Sequence, residues 1–363
     1  MKIKAAIERI PGGLMFVPLL LGATLNTLDQ AHFSWIEGAL RAMGAGPARS
    51  GHYEFLRIGA VAAEGVPSFA ESLFKTGALT LIALFLFCVG SQMTVRIGTR
   101  ALGKGALLTG TKFLAGTLAG YLLGRLSDPF HGFLGLSTLA IIAAMTNGNG
   151  GLFAALAGQY GNRSDVGALS VLSLNDGPFF TLIALGLLGE SFPAVVFLGV
   201  LLPLAIGMIL GNLDADIREF LRPGEKMLVP FFAFALGAGM NLSVFAQWDF
   251  LLGGVALGLM TLLISGGAMW FALTLFGFRS RITAFAEASA AGNATATPAA
   301  IAAAAAAAGS PNAAAYQGIV GIATAQISIA VILTALLCPV AVTLADRWQR
   351  NRGILGTEEE IRP

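Results

Sequence analysis

The sequence predicts an all-α integral membrane protein of about ten transmembrane helices. They form two inverted five-helix repeats, in which helices four and nine are broken and cross. Three observations carry this prediction. The chain of 363 residues is 56% hydrophobic and 12% charged, with a mean hydropathy of +0.77, whereas a soluble domain carries roughly a quarter charged residues. Its apolar residues gather into ten segments near the length of about 20 that a bilayer core demands. The two halves of the chain also repeat the same motifs in the same order.

The ten segments are 12–28, 76–93, 105–125, 133–158, 166–189, 193–212, 227–244, 250–277, 283–308 and 314–343. The first follows Lys2, Lys4 and Arg9, as a signal peptide would. No small-x-small cleavage site follows Leu25, so a retained span is expected. The third carries Lys112 at membrane depth. The fourth is interrupted by TNGNGG at 146–151, and the ninth by GNATATP at 292–298. The fifth holds Asn175 and Asp176 before a Gly177-Pro178 kink. An alanine run at 302–308 follows the second interruption.

Basic residues orient the spans. With the N-terminus inside, cytoplasmic segments hold sixteen Lys and Arg residues, including Arg96, Arg100, Lys104, Arg163, Arg218, Arg222, Arg279 and Arg281. Outer segments hold five: Arg41, Arg49, Arg57, Lys75 and Arg125. Both termini are expected in the cytoplasm, which requires an even number of spans.

The repeat is visible in the motifs. Pro18, Leu19, Gly22, Leu25, Leu28 and Asp29 recur as Pro203, Leu204, Gly207, Leu210, Leu213 and Asp214, an offset of 185. Phe85, Phe87, Gly90 and Met93 recur as Phe232, Phe234, Gly237 and Met240, an offset of 147. Gly148-Asn149 and Gly292-Asn293 are 144 apart. The drop of 38 between the first two offsets equals the excess length of the first outer loop. The chain thus reads as a single membrane domain over 1–363. Repeat one covers 10–190 with an insertion at 30–72, repeat two covers 191–345, and a cytoplasmic tail covers 346–363. Five spans per repeat is odd, so the second repeat enters the bilayer inverted, the plan of many secondary transporters. In the insertion, stretches 33–43 and 53–64 are expected as short amphipathic helices on the outer surface, with no chemistry assigned to them.

Paired interruptions at mid-depth point to a binding site. Non-helical backbone survives in a bilayer only against protein or a polar cavity. The freed helix N-termini suit a carboxylate, and Asn147, Asn149, Asn293, Thr295 and Thr297 both donate and accept. A small, anionic, hydroxylated solute fits these groups. The same small residues also permit close helix crossing. Ionisable groups at membrane depth are functional candidates. Lys112 is placed to neutralise a substrate carboxylate or pair with Asp176, the first choice of proton carrier; its bland alternative is snorkelling to an interface. Glu287, at the start of span nine, is expected nearer the cytoplasmic interface.

Several classes are excluded or left without support. The net charge of +2 gives no reason to expect nucleic acid. Cys88 and Cys338 lie in apolar runs and read as buried small residues rather than a disulfide. No HExxH or CxxC spacing exists, and His32, His52 and His131 fall in loops, so neither metal nor cofactor is expected. No Ser/His/Asp set lies at membrane depth, and an enzyme is not expected. The oligomeric state is not legible.

Several stretches resemble the bacterial 2-keto-3-deoxygluconate permeases: IKAAIERIPGG at 3–13, GLSTLA at 135–140, Gly150-Gly151 with Gln159-Tyr160-Gly161, GNLD at 211–214, PFFAFALG at 230–237 and Ala296-Thr297-Pro298. The resemblance runs from 3 to about 345. It implies proton-linked uptake of 2-keto-3-deoxygluconate across the inner membrane. It also implies a plan similar to bile-acid-type and cation/proton antiporter folds, whose fourth and ninth helices cross as broken pairs. The family pattern has an acid near the position of Thr146 and another at that of Asn175, which makes Asn175 a coupling candidate beside Asp176 and Glu287. A sodium-coupled organic-anion carrier or sodium/proton exchanger of similar fold is the alternative.

Overall fold

A computed structural model describes residues 2–9, 13–47, 52–59, 67–92, 99–172, 175, 178–189, 194–239, 242 and 248–356. Among these all the regular structure is helical, with no strand. The first half holds α1 (Ile3–Glu8), α2 (Gly13–Gln30), α3 (Ser34–Ala42), α4 (Phe69–Phe74), α5 (Ala78–Gln92), α6 (Thr99–Leu126), α7 (Thr138–Thr146), α8 (Gly150–Tyr160), α9 (Arg163–Gly167), α10 (Leu169–Leu172) and α11 (Phe179–Leu187). The second holds α12 (Ala194–Leu213), α13 (Ala215–Leu221), α14 (Gly224–Met227), α15 (Val229–Gly237), α16 (Trp248–Met260), α17 (Gly266–Leu275), α18 (Ile282–Glu287), α19 (Thr297–Ala307) and α20 (Ala313–Arg350). A π-helical turn, Thr261–Ser265, joins α16 to α17.

Among the described residues four helical stretches are long and apolar enough to cross a membrane: Ala101–Leu126, Thr138–Tyr160, Phe250–Leu275 and Ala313–Arg350. The other expected segments hold helix as well, in shorter pieces. The fifth is split into α9, α10 and α11 around Asn175 and Pro178. The second amphipathic stretch of the insertion, expected at 53–64, is one 3-10 turn at Phe55–Arg57, with 60–66 outside the described residues.

Two helix pairs are pressed together through glycine. A Cβ on Gly22 in α2 would strike the carbonyl oxygen of Phe234 in α15, and one on Gly237 would strike that of Leu19. A Cβ on Gly207 in α12 would strike the carbonyl oxygen of Phe87 in α5, and one on Gly90 would strike that of Leu204. Bare glycine lets the backbones touch, the usual means of close packing where lipid offers no hydrophobic drive. Leu19, Ala23, Phe85, Phe232 and Leu236 fill the core between these pairs, with the Phe85 and Phe232 rings edge to face at 5.4 Å. Cys88 and Cys338 are buried thiols not joined in a disulfide, in separate clusters.

The remaining helices enclose the interruptions. Gly116 and Gly120 on α6 admit Met145 and Ile142 of α7. α6 also carries two fully buried lysines, Lys104 and Lys112, eight residues and so about 12 Å apart along its axis. Lys104, counted above among the cytoplasmic basic residues, is ion-paired with the fully buried Asp165 and donates to the Ser280 carbonyl at 2.9 Å. Asp165 in turn closes a capping box with Asn162 at the start of α9. Buried charges are tolerated when paired and hydrogen-bonded in this way.

Candidate functional site at the meeting of two interruptions

The first interruption lies where it was expected. α7 ends at Thr146, residues 147–149 are extended, and α8 begins at Gly150, capped by the Asn149 side chain, which accepts from Leu152 N at 3.0 Å. The second lies upstream of its expected place. α18 ends at Glu287, and residues 288–291 lack helical structure. The GNATA stretch at 292–296 is a 3-10 turn that leads into α19. The reason is local. Pro298 stands in the first turn of α19, where its missing N–H costs nothing, so the Gly-Asn-Thr stretch starts a helix instead of breaking one. Side chains satisfy the backbone of the true break: Ala290 N donates to Thr334 Oγ1 of α20 at 3.0 Å.

The two interruptions meet around one ion pair. Lys112 is the fourteenth residue of the 28-residue α6, so it sits roughly 20 Å from either helix end at 1.5 Å per residue. Its Nζ donates to the Glu287 carbonyl oxygen at 2.6 Å, to Glu287 Oε1 at 3.2 Å and to the Ser289 carbonyl oxygen at 2.9 Å. Both side chains are at most 1% exposed. An ammonium at the open C-terminal end of α18 is favoured by the unpaired carbonyls there. Glu287 is therefore buried among these helices, where the sequence suggested an interfacial position. Lys112 does not snorkel.

Asn175 ties the pair to the first interruption. Its Nδ2 donates to Glu287 Oε1 at 3.0 Å, and its Oδ1 accepts from Gly148 N at 3.3 Å. Asn149 N donates to Ser289 Oγ at 3.2 Å. Bare Gly148 lets the Glu287 carboxylate approach this closely, because a Cβ there would displace it. Glu287 Oε2 and Asn147 Oδ1 are buried and have no hydrogen-bond partner among the described residues. Such unspent buried acceptors are costly.

The other expected site residues lie around this centre. Asn147 turns its amide onto the Ala143 carbonyl at 2.8 Å. Thr295 donates to Gly292 O at 2.6 Å, and its own carbonyl accepts from Thr324 at 3.2 Å. Thr297 is fully buried, with Oγ1 unpartnered among the described residues, and Asn293 is half-buried in the 3-10 turn. Asp176 lies outside the described residues. Ser289 and Thr334 were not anticipated. Their signal was faint: isolated hydroxyls in alanine-rich or aliphatic surroundings.

Comparison with known proteins identifies the family. The family model for 2-keto-3-deoxygluconate permease matches residues 60–351. The chain is 42% identical over 356 residues to 2-keto-3-deoxygluconate permease 1 of Salmonella typhimurium, covering 98% of this chain and 99% of the relative. It is 35% identical over 367 residues to 2-keto-3-deoxygluconate permease of Escherichia coli K12, again covering 98% and 99%. With the helical membrane fold and this identity across nearly the whole chain, the protein belongs to the 2-keto-3-deoxygluconate permease family and is a multi-pass membrane transporter, not an enzyme.

Proposed function

We propose that the protein imports 2-keto-3-deoxygluconate, or a sugar acid of closely similar chemistry, across the inner membrane by proton symport. The relatives' names supply the substrate, and the chemistry of the site suits it: one ammonium for a carboxylate, with amides and hydroxyls for the polyol. The observation that carries the reading is the fully buried Lys112–Glu287 pair between two backbone interruptions.

Charge neutrality then supplies the coupling. The empty site holds one ammonium and one carboxylate and is neutral. Substrate alone would make it negative, and a proton alone would make it positive. A net charge buried in low dielectric costs several kcal/mol, so the empty and the doubly loaded site are the states that cross. In the loaded state Glu287 holds the proton and releases Lys112 to the substrate carboxylate. Asn147, Asn149, Asn293, Thr295 and Thr297 offer polar contacts to the hydroxyls. Asn175 positions Glu287 against Gly148. On this reading Glu287 replaces Asp176 as the coupling acid.

The frame for this cycle is ten spans in two inverted repeats, with both termini in the cytoplasm. The glycine contacts support it. By the offsets 185 and 147, the contact of Gly22 with Phe234 maps onto that of Gly207 with Phe87, and Gly237 with Leu19 maps onto Gly90 with Leu204. A two-fold relation between repeats produces this exchange. Sodium coupling is the rival. It is disfavoured because Lys112 already occupies the Glu287 and Ser289 carbonyls that a monovalent cation would use.

Uptake of labelled 2-keto-3-deoxygluconate into vesicles tests the proposal. Symport gives accumulation when the outside is made acidic. Accumulation that ignores the pH gradient and requires Na⁺ would transfer the protein to the rival class.

A further inference from the structure

The outer insertion carries a convergence of side chains that the transport cycle does not use. His32 follows α2 in the left-handed region, at φ 48°, where few non-glycine residues sit. Glu37 lies in the first turn of α3. His52 Nδ1 is 3.0 Å from Glu37 Oε1, and His32 Nδ1 is 3.6 Å from the same oxygen. The two imidazoles stack with centroids 3.7 Å apart. Two of the chain's three histidines, twenty residues apart in sequence, thus turn the same ring nitrogen toward one carboxylate, with all three ligand atoms within 4.8 Å of one another.

We propose that His32, Glu37 and His52 form a binding site for a divalent transition metal of the Zn²⁺ type on the outer face of the protein. Tetrahedral bonds of about 2.0–2.1 Å place neighbouring ligand atoms roughly 3.3–3.4 Å apart. The 3.6 Å separation of His32 Nδ1 lies near that figure, and the 3.0 Å separation of His52 Nδ1 is a hydrogen bond that the metal would replace. Two imidazoles and one carboxylate match a three-ligand zinc set with a fourth position left for water. Imidazole selects Zn²⁺, Ni²⁺ or Cu²⁺ over Mg²⁺ and Ca²⁺, which take oxygen ligands.

The metal would reinforce an existing tie. One turn before His32, the buried Asp29 carboxylate accepts from Phe55 N at 2.8 Å and Leu56 N at 3.0 Å. Metal at His32, Glu37 and His52 binds the same strip of the insertion to the end of α2 a second time. The site is therefore a staple that holds the outer cap to a transmembrane helix.

The test uses the full chain without a polyhistidine tag, in detergent, stripped with chelator and titrated with ZnSO₄ by calorimetry. Thermal unfolding is followed in parallel with ZnSO₄ or MgCl₂. One Zn²⁺ per chain and a Tm raised by Zn²⁺ but not by Mg²⁺ are expected. His52→Ala and Glu37→Gln should each weaken binding by more than about tenfold while leaving the chelator-treated Tm unchanged, since these side chains are partly exposed. His131→Ala, in a different outer loop, should bind as the wild type does. Absence of saturable binding, or stoichiometric binding retained in the His32→Ala/His52→Ala double variant, overturns the proposal.

Discussion

Lys112 Nζ lies 2.6 Å from the carbonyl oxygen of Glu287 and 3.2 Å from its carboxylate, so one ammonium satisfies both the side chain and the open backbone end of the same residue. The two demands respond differently to mutation. Glu287→Gln removes the charge and keeps the carbonyl contact. It should retain substrate exchange across the membrane and lose uphill accumulation, because no proton is carried. Asp176→Asn should keep pH-driven accumulation. Counterflow and gradient-driven uptake measured side by side separate the two. Normal accumulation by Glu287→Gln would remove Glu287 from the coupling role.

Neutrality of the crossing states also fixes the energetics of uptake. One proton and one monoanion cross together, so no net charge moves. Ten-fold in concentration is worth about 1.4 kcal/mol, and so is one unit of pH. A one-unit gradient should therefore support at most about tenfold accumulation, and an imposed membrane potential should add nothing. Uptake into vesicles clamped with a potassium ionophore measures this. Potential-driven accumulation would show that a second proton or another cation crosses.

α6 bears a second buried ion pair, Lys104–Asp165, which provides an internal comparison. Removing one member of either pair should cost about 3–5 kcal/mol, whereas replacing both with apolar residues of similar volume is often neutral. The double variant Lys104→Met/Asp165→Leu should fold and still accumulate substrate with proton dependence. The double variant Lys112→Met/Glu287→Leu should fold with comparable Tm and show no binding or uptake. Loss of uptake in the first with retained folding would place the coupling machinery at both pairs.

How much of this was legible in the sequence follows from what each feature leaves behind. Four of the expected spans write themselves in hydropathy, and the close helix contacts in Gly22, Gly90, Gly207 and Gly237, because backbone contact tolerates no other residue. The first interruption was legible because Asn149 caps α8 with its own side chain. The second was displaced because Ala288, Ala290 and Ala291 carry no mark of extended backbone; their support comes from Thr334, 44 residues away from Ala290. Glu287 looked interfacial because its partners, Lys112 and Asn175, are 175 and 112 residues distant.

Glycines at the two kinds of contact should separate function from stability. At Gly148 an added methyl meets the Glu287 carboxylate, the far end of a side chain that can swing aside. Gly148→Ala should therefore fold with a Tm within a few degrees of wild type, yet lose most uptake, because the displaced carboxylate no longer meets Lys112 and Asn175 together. At Gly90 and Gly237 the methyl meets the carbonyl oxygens of Leu204 and Leu19, which are fixed by their own helices. Relieving that clash means parting α5 from α12 or α2 from α15, and overpacking of this kind costs about 1–3 kcal/mol or more. Gly90→Ala and Gly237→Ala should each lower Tm by several degrees and reduce the folded yield, in similar measure if the two contacts are two-fold equivalents. Thermal unfolding in detergent with parallel uptake assays reads both quantities. A Gly148→Ala variant that unfolds early but transports normally once folded would reverse the assignment of that glycine from site to scaffold.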